Sequence, residues 1–447
     1  MGISVLAVSS QCSRLGRLIR QPTGLHRTFL FLSISAVVAL FSHILFFLIL
    51  PGGLKRTPSP DYVKFYEPVA QTLASGGGFF LASRPALLYP CGIPIMYAAT
   101  FRAADTLHVA RSTGLRVLEA MCLTLTSVLV SLLARLILSW RVALVASAMW
   151  STYPFHLWLT KQPDPTSAFS LLLLLGALLF VRWSADGRRC VQYGCLVGLS
   201  LGLAALIKPF AIALPVIFVG LACVCVIPCR PRQRALFSFC VAIVYLLAIS
   251  PWEVWAREVS GQWIPLCTNG PNVLIDGLTL GTVRGMKPVW MPQNVRALTQ
   301  DAVEHYKDLK TTASIANFVI AKIREEPRAV AQLLLIKAGR SWYGSESHAF
   351  EKWVVVIQLL YLPFVIFGVR EVSKGDRQQR NFLLTTAAIV MYFWALTTFA
   401  ALPELRYLVP AMSLIMIIAA VAFDALATNC IRRLSSMRRR VEAVRQG

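Results

Sequence analysis

The chain has 447 residues, 56% of them hydrophobic and only 15% charged, with a formal net charge of +23. Soluble domains carry roughly 25% charged residues and spread their apolar residues in short amphipathic runs. A soluble enzyme, a disordered chain, a collagen-like repeat and a disulfide-rich secreted scaffold are therefore excluded. Apolar stretches such as Leu171–Val181 with its flanks and Leu405–Ala422 are long enough to cross a bilayer. The composition is that of an all-α polytopic integral membrane protein.

Residues 1–27 form a basic N-terminus carrying Arg14, Arg17, Arg20 and Arg27. The apolar run that follows is too long for a cleavable signal peptide, so the first helix is expected to be a retained anchor. About ten transmembrane helices are predicted, near 28–50, 114–138, 141–159, 165–182, 190–207, 209–228, 235–255, 352–369, 381–400 and 406–428. Pro85–Phe101 is apolar but interrupted by Pro90, Gly92 and Pro94, and reads as a re-entrant or interfacial piece. The expected organisation is a transmembrane core at 28–255 with a first external loop at 51–113, a large external loop at 256–351, C-terminal spans at 352–428 and a basic tail at 429–447.

Lys and Arg distribution sets the orientation. With both termini cytoplasmic, the segments on that side hold 22 of the 44 positive residues, opposed only by Asp186, Glu371, Asp376 and Glu442. The short turns on the other side carry one positive residue each: Lys161, Lys208 and Arg406. Charge sorted by membrane side is not a patch for nucleic acid, so no nucleic-acid partner is expected and membrane lipids surround the spans.

Two outside segments are too long to be simple turns, and long loops in a compact protein usually hold function. The first contains Asp61, Glu67, the glycines 76–78 and Arg84-Pro85. The second opens with a Gly/Asn/Pro-rich stretch from Gly261 to Pro292, then shows amphipathic, interfacial helix pattern from Asn294 to Arg340, broken at Pro327. The two halves do not repeat, which weighs against a transporter built on inverted repeats.

No G-x-x-x-x-G-K-[ST] loop, dinucleotide fingerprint or H-E-x-x-H motif is present. Cys223, Cys225 and Cys229 lack a neighbouring histidine and do not share a helix face, so no metal is expected there. Cys91 and Cys267 both fall in external segments, which leaves a disulfide between them open. Asp61 reads either as a general base for an incoming hydroxyl or amine or as a solvated loop acid. Asp164, held between Pro163 and Pro165, is either a site acid or the N-cap of the following helix. Lys208 either binds a phosphate or snorkels to the interface, and Arg84 and Arg406 raise the same choice. Glu119 lies three residues after Arg116, which suggests an ion pair on one helix face.

The order of these pieces resembles the bacterial GT-C glycosyltransferases that use polyprenyl-phosphate sugars, the class of the protein O-mannosyltransferases and the lipid A aminoarabinose transferases. The matching segments are Asp61 to Ala70, Gly76 to Phe79, Arg84-Pro85 leading to Tyr89-Pro90, Gly198 to Lys208-Pro209, Ser250-Pro251-Trp252, Asn269-Gly270-Pro271-Asn272 and Arg406-Tyr407-Leu408-Val409-Pro410. They are collinear over about residues 28–425. The resemblance implies a GT-C fold and transfer of a hexose or pentose, with inversion, from a polyprenyl-phosphate donor to a lipid, glycan or protein acceptor at the external, periplasmic face of the bacterial inner membrane. It implies Asp61 as the catalytic carboxylate, with Glu67 as the alternative, and Asp164 as a second acid facing the site. Arg84 and Lys208 would hold the donor phosphate, Arg406 would contact donor or support the pocket, and Tyr66, Tyr89 and Tyr407 would line it. No metal or other cofactor is implied. Two other readings of the chain are a polyprenyl-lipid or sugar flippase, whose charges should line a central cavity, and an O-antigen polymerase or ligase, whose large loop should carry the key Arg and His.

Overall fold

The computed structural model describes residues 22–426 apart from 53–58, 287, 347 and 349. The basic tail at 429–447 and residues 1–21 of the N-terminus lie outside the described residues. The chain is helical nearly throughout: α1 Pro22–Ile49, a π turn Tyr62–Tyr66, α2 Glu67–Ala74, α3 Gly92–Thr106, α4 Arg111–Ile137, α5 Trp140–Ser151, α6 Pro154–Leu159, α7 Pro165–Asp186, α8 Cys190–Ile207, α9 Leu214–Val224 and α10 Pro231–Ser260. There follow α11 Gly270–Thr279, α12 Gln293–Glu304, α13 Thr312–Glu325, α14 Pro327–Arg340, α15 Glu351–Ser373, α16 Arg377–Phe399 and α17 Val409–Leu426. The only strands among the described residues are β1 Phe80–Leu81 and β2 Arg84–Pro85, an antiparallel hairpin.

Among the described residues eight helices are long and apolar enough to cross a membrane: α1 from Phe29, α4, α7, α8, α10, α15, α16 and α17. Helices apolar on every side belong either to a deep core or to a bilayer, and here both occur. The apolar window of α17 is 72% buried among its neighbours, whereas that of α15 is 11% buried and presents Leu359, Leu360 and Ile366 outward. A hydrocarbon solvent is what satisfies such a surface. Two of the ten expected spans are not single helices of bilayer length, although each still joins the two ends of the bundle. The 141–159 segment is broken at Thr152-Tyr153 into α5 and α6, because Pro154 starts a new helix and disfavours helical backbone at the residue before it. The 209–228 segment is a 3-10 turn at Pro209–Ala211 followed by the 11-residue α9.

Glycines set the closest helix contact. Gly194, Gly198 and Gly202 lie four residues apart along α8, on the face against α10. A Cβ on Gly198 would come 2.6 Å from the Val241 carbonyl oxygen, and one on Gly202 2.5 Å from the Ala248 Cβ. Small residues at this spacing let two backbones approach and gain van der Waals contact where the hydrophobic effect no longer drives helix association.

Both long loops are folded rather than irregular. In the Pro85–Phe101 piece the second half is helical, the start of α3, which buries Ile93, Tyr97 and Phe101. The Gly261–Pro292 stretch contains α11, where Pro271 occupies the first turn, a position that needs no backbone N–H. The break at Pro327 separates α13 from α14 as expected. The second loop has its own small core of Ile275, Val295, Leu298, Ala302 and Leu333. α10 runs through Pro251 to Ser260, past the expected end of the span at 255. The residues beyond the proline are pinned, since Trp252 Nε1 donates to the Leu266 carbonyl at 2.6 Å and the Leu266 N–H donates to Glu253. The second loop docks on the first through Thr268, whose N–H donates to the Leu87 carbonyl at 2.9 Å. Cys91 and Cys267 are both free thiols.

Candidate active site

The end of the bundle that carries both long loops also gathers most of the singled-out residues. Asp61 is half-buried just before the π turn, and its Oδ1 accepts a hydrogen bond from the Tyr89 hydroxyl at 2.9 Å. Tyr89 packs against Phe65 and Tyr66, with ring centroids 5.1 Å apart in each case. Burial, and then the negative charge of Asp61, pushes the Tyr89 hydroxyl far above its ordinary pKa, so it remains a donor. This fixes one face of the Asp61 carboxylate.

Asp164 is the N-cap of α7, its Oδ1 accepting from the Thr166 N–H at 2.7 Å. The next link is Thr166, whose hydroxyl accepts a hydrogen bond from the Lys208 ammonium. Lys208 ends α8 with extended backbone because Pro209 follows. Burial pulls its ammonium down to about 8, opposed by Asp164 and Asp61. Phe210, two residues on, meets Tyr407 with centroids 4.8 Å apart, and its carbonyl accepts from the Tyr392 hydroxyl at 2.6 Å. These contacts join the end of α8 to the start of α17.

Arg406 lies in the 3-10 turn Leu405–Tyr407. Its guanidinium pairs with the buried Glu404, donates to the Tyr407 hydroxyl at 3.2 Å and stands 5.1 Å over that ring. The turn is held from the second loop, where the Leu405 N–H donates to the Gly344 carbonyl at 3.0 Å. Arg284, from a 3-10 turn after α11, is paired with the buried Asp276 and feels the charges of Tyr407 and Asp61. The structure thus brings Asp61, Tyr66, Tyr89, Asp164, Lys208, Arg406 and Tyr407 into one cluster.

Arg84 and Glu67 are not in it. Arg84 is exposed on the β1–β2 hairpin. Glu67, half-buried on α2, hydrogen-bonds the Tyr62 hydroxyl. Sequence reasoning missed Arg284, Asp276 and Glu404. Glu404 had one local signal, its place two residues before Arg406 and after Pro403. Arg284 and Asp276 are brought in from about 200 residues away by the docking of the second loop, and no local pattern announces that. The Arg116–Glu119 pair does not form: Arg116 is exposed over the Phe47 ring, while Glu119 is 5% exposed and turned inward beneath Asp164. Among the described residues no group of three or more His, Cys, Asp or Glu is placed to hold a metal ion.

The family model for dolichyl-phosphate-mannose-protein mannosyltransferase matches residues 93–255, which include Asp164 and Lys208. No curated protein sequence matches the chain. Among solved structures it is similar to the archaeal oligosaccharyltransferase AglB from Archaeoglobus fulgidus in complex with an inhibitory peptide and a dolichol-phosphate, at a TM-score of 0.57 and 12% identity over 93% of this chain and 52% of that one. The apo form of the Archaeoglobus fulgidus oligosaccharyltransferase aligns at a TM-score of 0.54 and 12% identity, over 92% and 52% of the two chains. ArnT from Cupriavidus metallidurans bound to undecaprenyl phosphate aligns more loosely, at 0.43 and 16% identity over 90% and 61%. The chain spans about half the length of the oligosaccharyltransferase it matches. The chain thus shares the fold of the Archaeoglobus fulgidus oligosaccharyltransferase over most of its length, and residues 93–255 also match the mannosyltransferase family model.

Proposed function

We propose that the chain is a membrane glycosyltransferase that moves a hexose or pentose from a polyprenyl-phosphate donor to a hydroxyl or amine of a lipid, glycan or protein acceptor, at the periplasmic face of a bacterial inner membrane. The observation that carries this reading is the juxtaposition of one oriented carboxylate, Asp61, with three cations, the half-buried Lys208 and Arg406 and the more exposed Arg284, at the loop end of the bundle. A sugar leaving a phosphate needs both: a base for the incoming nucleophile and positive charge for the departing oxygen.

Asp61, aligned by Tyr89, takes the proton of the acceptor hydroxyl or amine as that group attacks the anomeric carbon. The bond from that carbon to the phosphate oxygen breaks on the opposite side, its electron pair goes to the phosphate, and the configuration inverts. Lys208 and Arg406 stabilise the phosphate charge as the bond breaks, and Arg284 adds a third positive charge from the second loop. Arg84, on the exposed hairpin, is left at the rim. Glu404 and Asp276 hold the two arginines in place, since an arginine already paired loses little freedom when a phosphate arrives.

Asp61→Asn in membranes, followed by release of polyprenyl phosphate from labelled lipid-linked sugars, tests this. With the variant present and folded, release is expected to fall by about 10²–10⁴-fold. Loss on Glu67→Gln with Asp61→Asn active would move the role to Glu67. Unchanged release in both would mean that neither carboxylate is the base, while wild-type membranes that release none would sink the transferase reading and favour a flippase.

A further inference from the structure

Beneath the candidate site lies a buried carboxylate that the proposed reaction does not use. Glu119 sits inside α4, and its Oε1 accepts a hydrogen bond from the backbone N–H of Asp164 at 3.2 Å. That N–H belongs to the turn between α6 and α7, flanked by prolines 163 and 165, which can donate no backbone bond of their own. A buried N–H without a partner costs about as much as a lost hydrogen bond. Glu119 therefore supplies from a neighbouring helix what the turn cannot supply for itself.

From there a continuous path leads to the site. Asp164 Oδ1 accepts from the Thr166 N–H at 2.7 Å, and the Thr166 hydroxyl accepts from the Lys208 ammonium. The other Glu119 carboxylate oxygen, Oε2, and the Ser167 hydroxyl are both buried without a hydrogen bond of good geometry. The backbone bond is thus the one of good geometry that Glu119 makes among the described residues, with the Ser167 hydroxyl of α7 its other polar neighbour. A buried acid is expensive to keep in a span and is retained there for a function.

We infer that Glu119 is a positioning residue: by holding the Asp164 turn through its hydrogen bond it fixes the start of α7, and through Thr166 it aims the Lys208 ammonium at the phosphate of a polyprenyl-phosphate ligand. The inference rests on the proposed phosphate role of Lys208.

The probes are undecaprenyl phosphate and undecaprenol, binding to the purified full-length protein in detergent. The two lipids differ only in the phosphate, so their ratio reads the cation's placement and not the tail groove. Glu119→Ala is expected to weaken undecaprenyl phosphate binding about tenfold, the worth of a lost buried hydrogen bond, and to leave undecaprenol unchanged. Glu119→Gln keeps an acceptor oxygen for the Asp164 N–H and is expected to bind both lipids within about twofold of wild type. Thr166→Val cuts the path one link later without touching the buried acid, and is expected to repeat the loss should Glu119→Ala not fold. Equal loss of both lipids in Glu119→Ala, a Glu119→Gln as weak as Glu119→Ala, or folded variants that all bind like wild type would overturn the inference. A Lys208→Met variant that still prefers the phosphate would overturn instead the reading on which it rests.

Discussion

A lysine that has lost its water does not hold its proton to the usual pH. Lys208 is half-buried, and loss of water draws its pKa down to about 8 despite the carboxylate of Asp164. Below that value the ammonium is charged and can pair with phosphate; above it the charge is lost. Affinity for undecaprenyl phosphate is therefore expected to fall about tenfold between pH 7 and pH 9, and Lys208→Met to be weak and flat across the same range. A decline that persists in Lys208→Met would place the titrating group elsewhere. Tyr89 acts at the same scale in the opposite sense, because burial keeps its hydroxyl protonated and its bond to Asp61 intact. Tyr89→Phe is expected to lower kcat about fivefold to tenfold, far less than Asp61→Asn, since a neutral-to-charged hydrogen bond is lost and the base itself remains. Of the residues in the cluster, those legible in the sequence announce themselves locally: an acid after a span, an acid between prolines, a basic-Pro step. Glu119 misled for the same reason, because spacing to Arg116 tells what two residues could do on an isolated helix and not which side of that helix the protein covers.

At the scale of elements, the Gly-rich stretch of the sequence acquires a physical reason. Its glycines are the surface on which α8 meets α10, and Lys208 stands at the end of that same helix. Gly198→Leu must push the helices apart and move Lys208 with them, at a cost of about 1–3 kcal/mol from overpacking. The expected outcome is a clear fall in the thermal midpoint together with reduced undecaprenyl phosphate binding. Gly220→Leu on α9, where an added Cβ meets nothing within 4 Å, is expected to change neither. Equal tolerance at both positions would mean that α8 and α10 do not need this contact. Helix existence was legible from apolar length. Helix continuity was not, because proline reads the same way wherever it falls: Pro154 breaks a span, Pro271 opens a helix, and Pro251 lies inside one that continues past it. What decides among these is tertiary, as the pinning of Trp252 and Glu253 by Leu266 illustrates.

For the whole molecule, the property written most plainly in the sequence is the sorting of charge by side. The turns Gly187-Arg188-Arg189 and Pro228 to Arg234 close one end of the bundle, and the 373–377 turn joins that end, since Arg377 donates to the Ala185 carbonyl. Asp61, Asp164, Lys208 and Arg406 cluster around the loops at the other end. An energetic bias from so many arginines would keep the first end in the cytoplasm, where translocation across the membrane is opposed. The site would then face outward, where the proposed lipid-linked sugar and its acceptor would meet. Single cysteines in a cysteine-depleted chain test this: with a membrane-impermeant maleimide, Gln262→Cys is expected to label in intact spheroplasts, and Arg188→Cys only after the membrane is opened. The reversed pattern would put the candidate site in the cytoplasm and remove the external acceptor from the proposal. Activity must be followed alongside, because Gln262 lies just past the helix that pins the second loop. A labelled and still active Gln262→Cys chain would tie the outward orientation to the working enzyme.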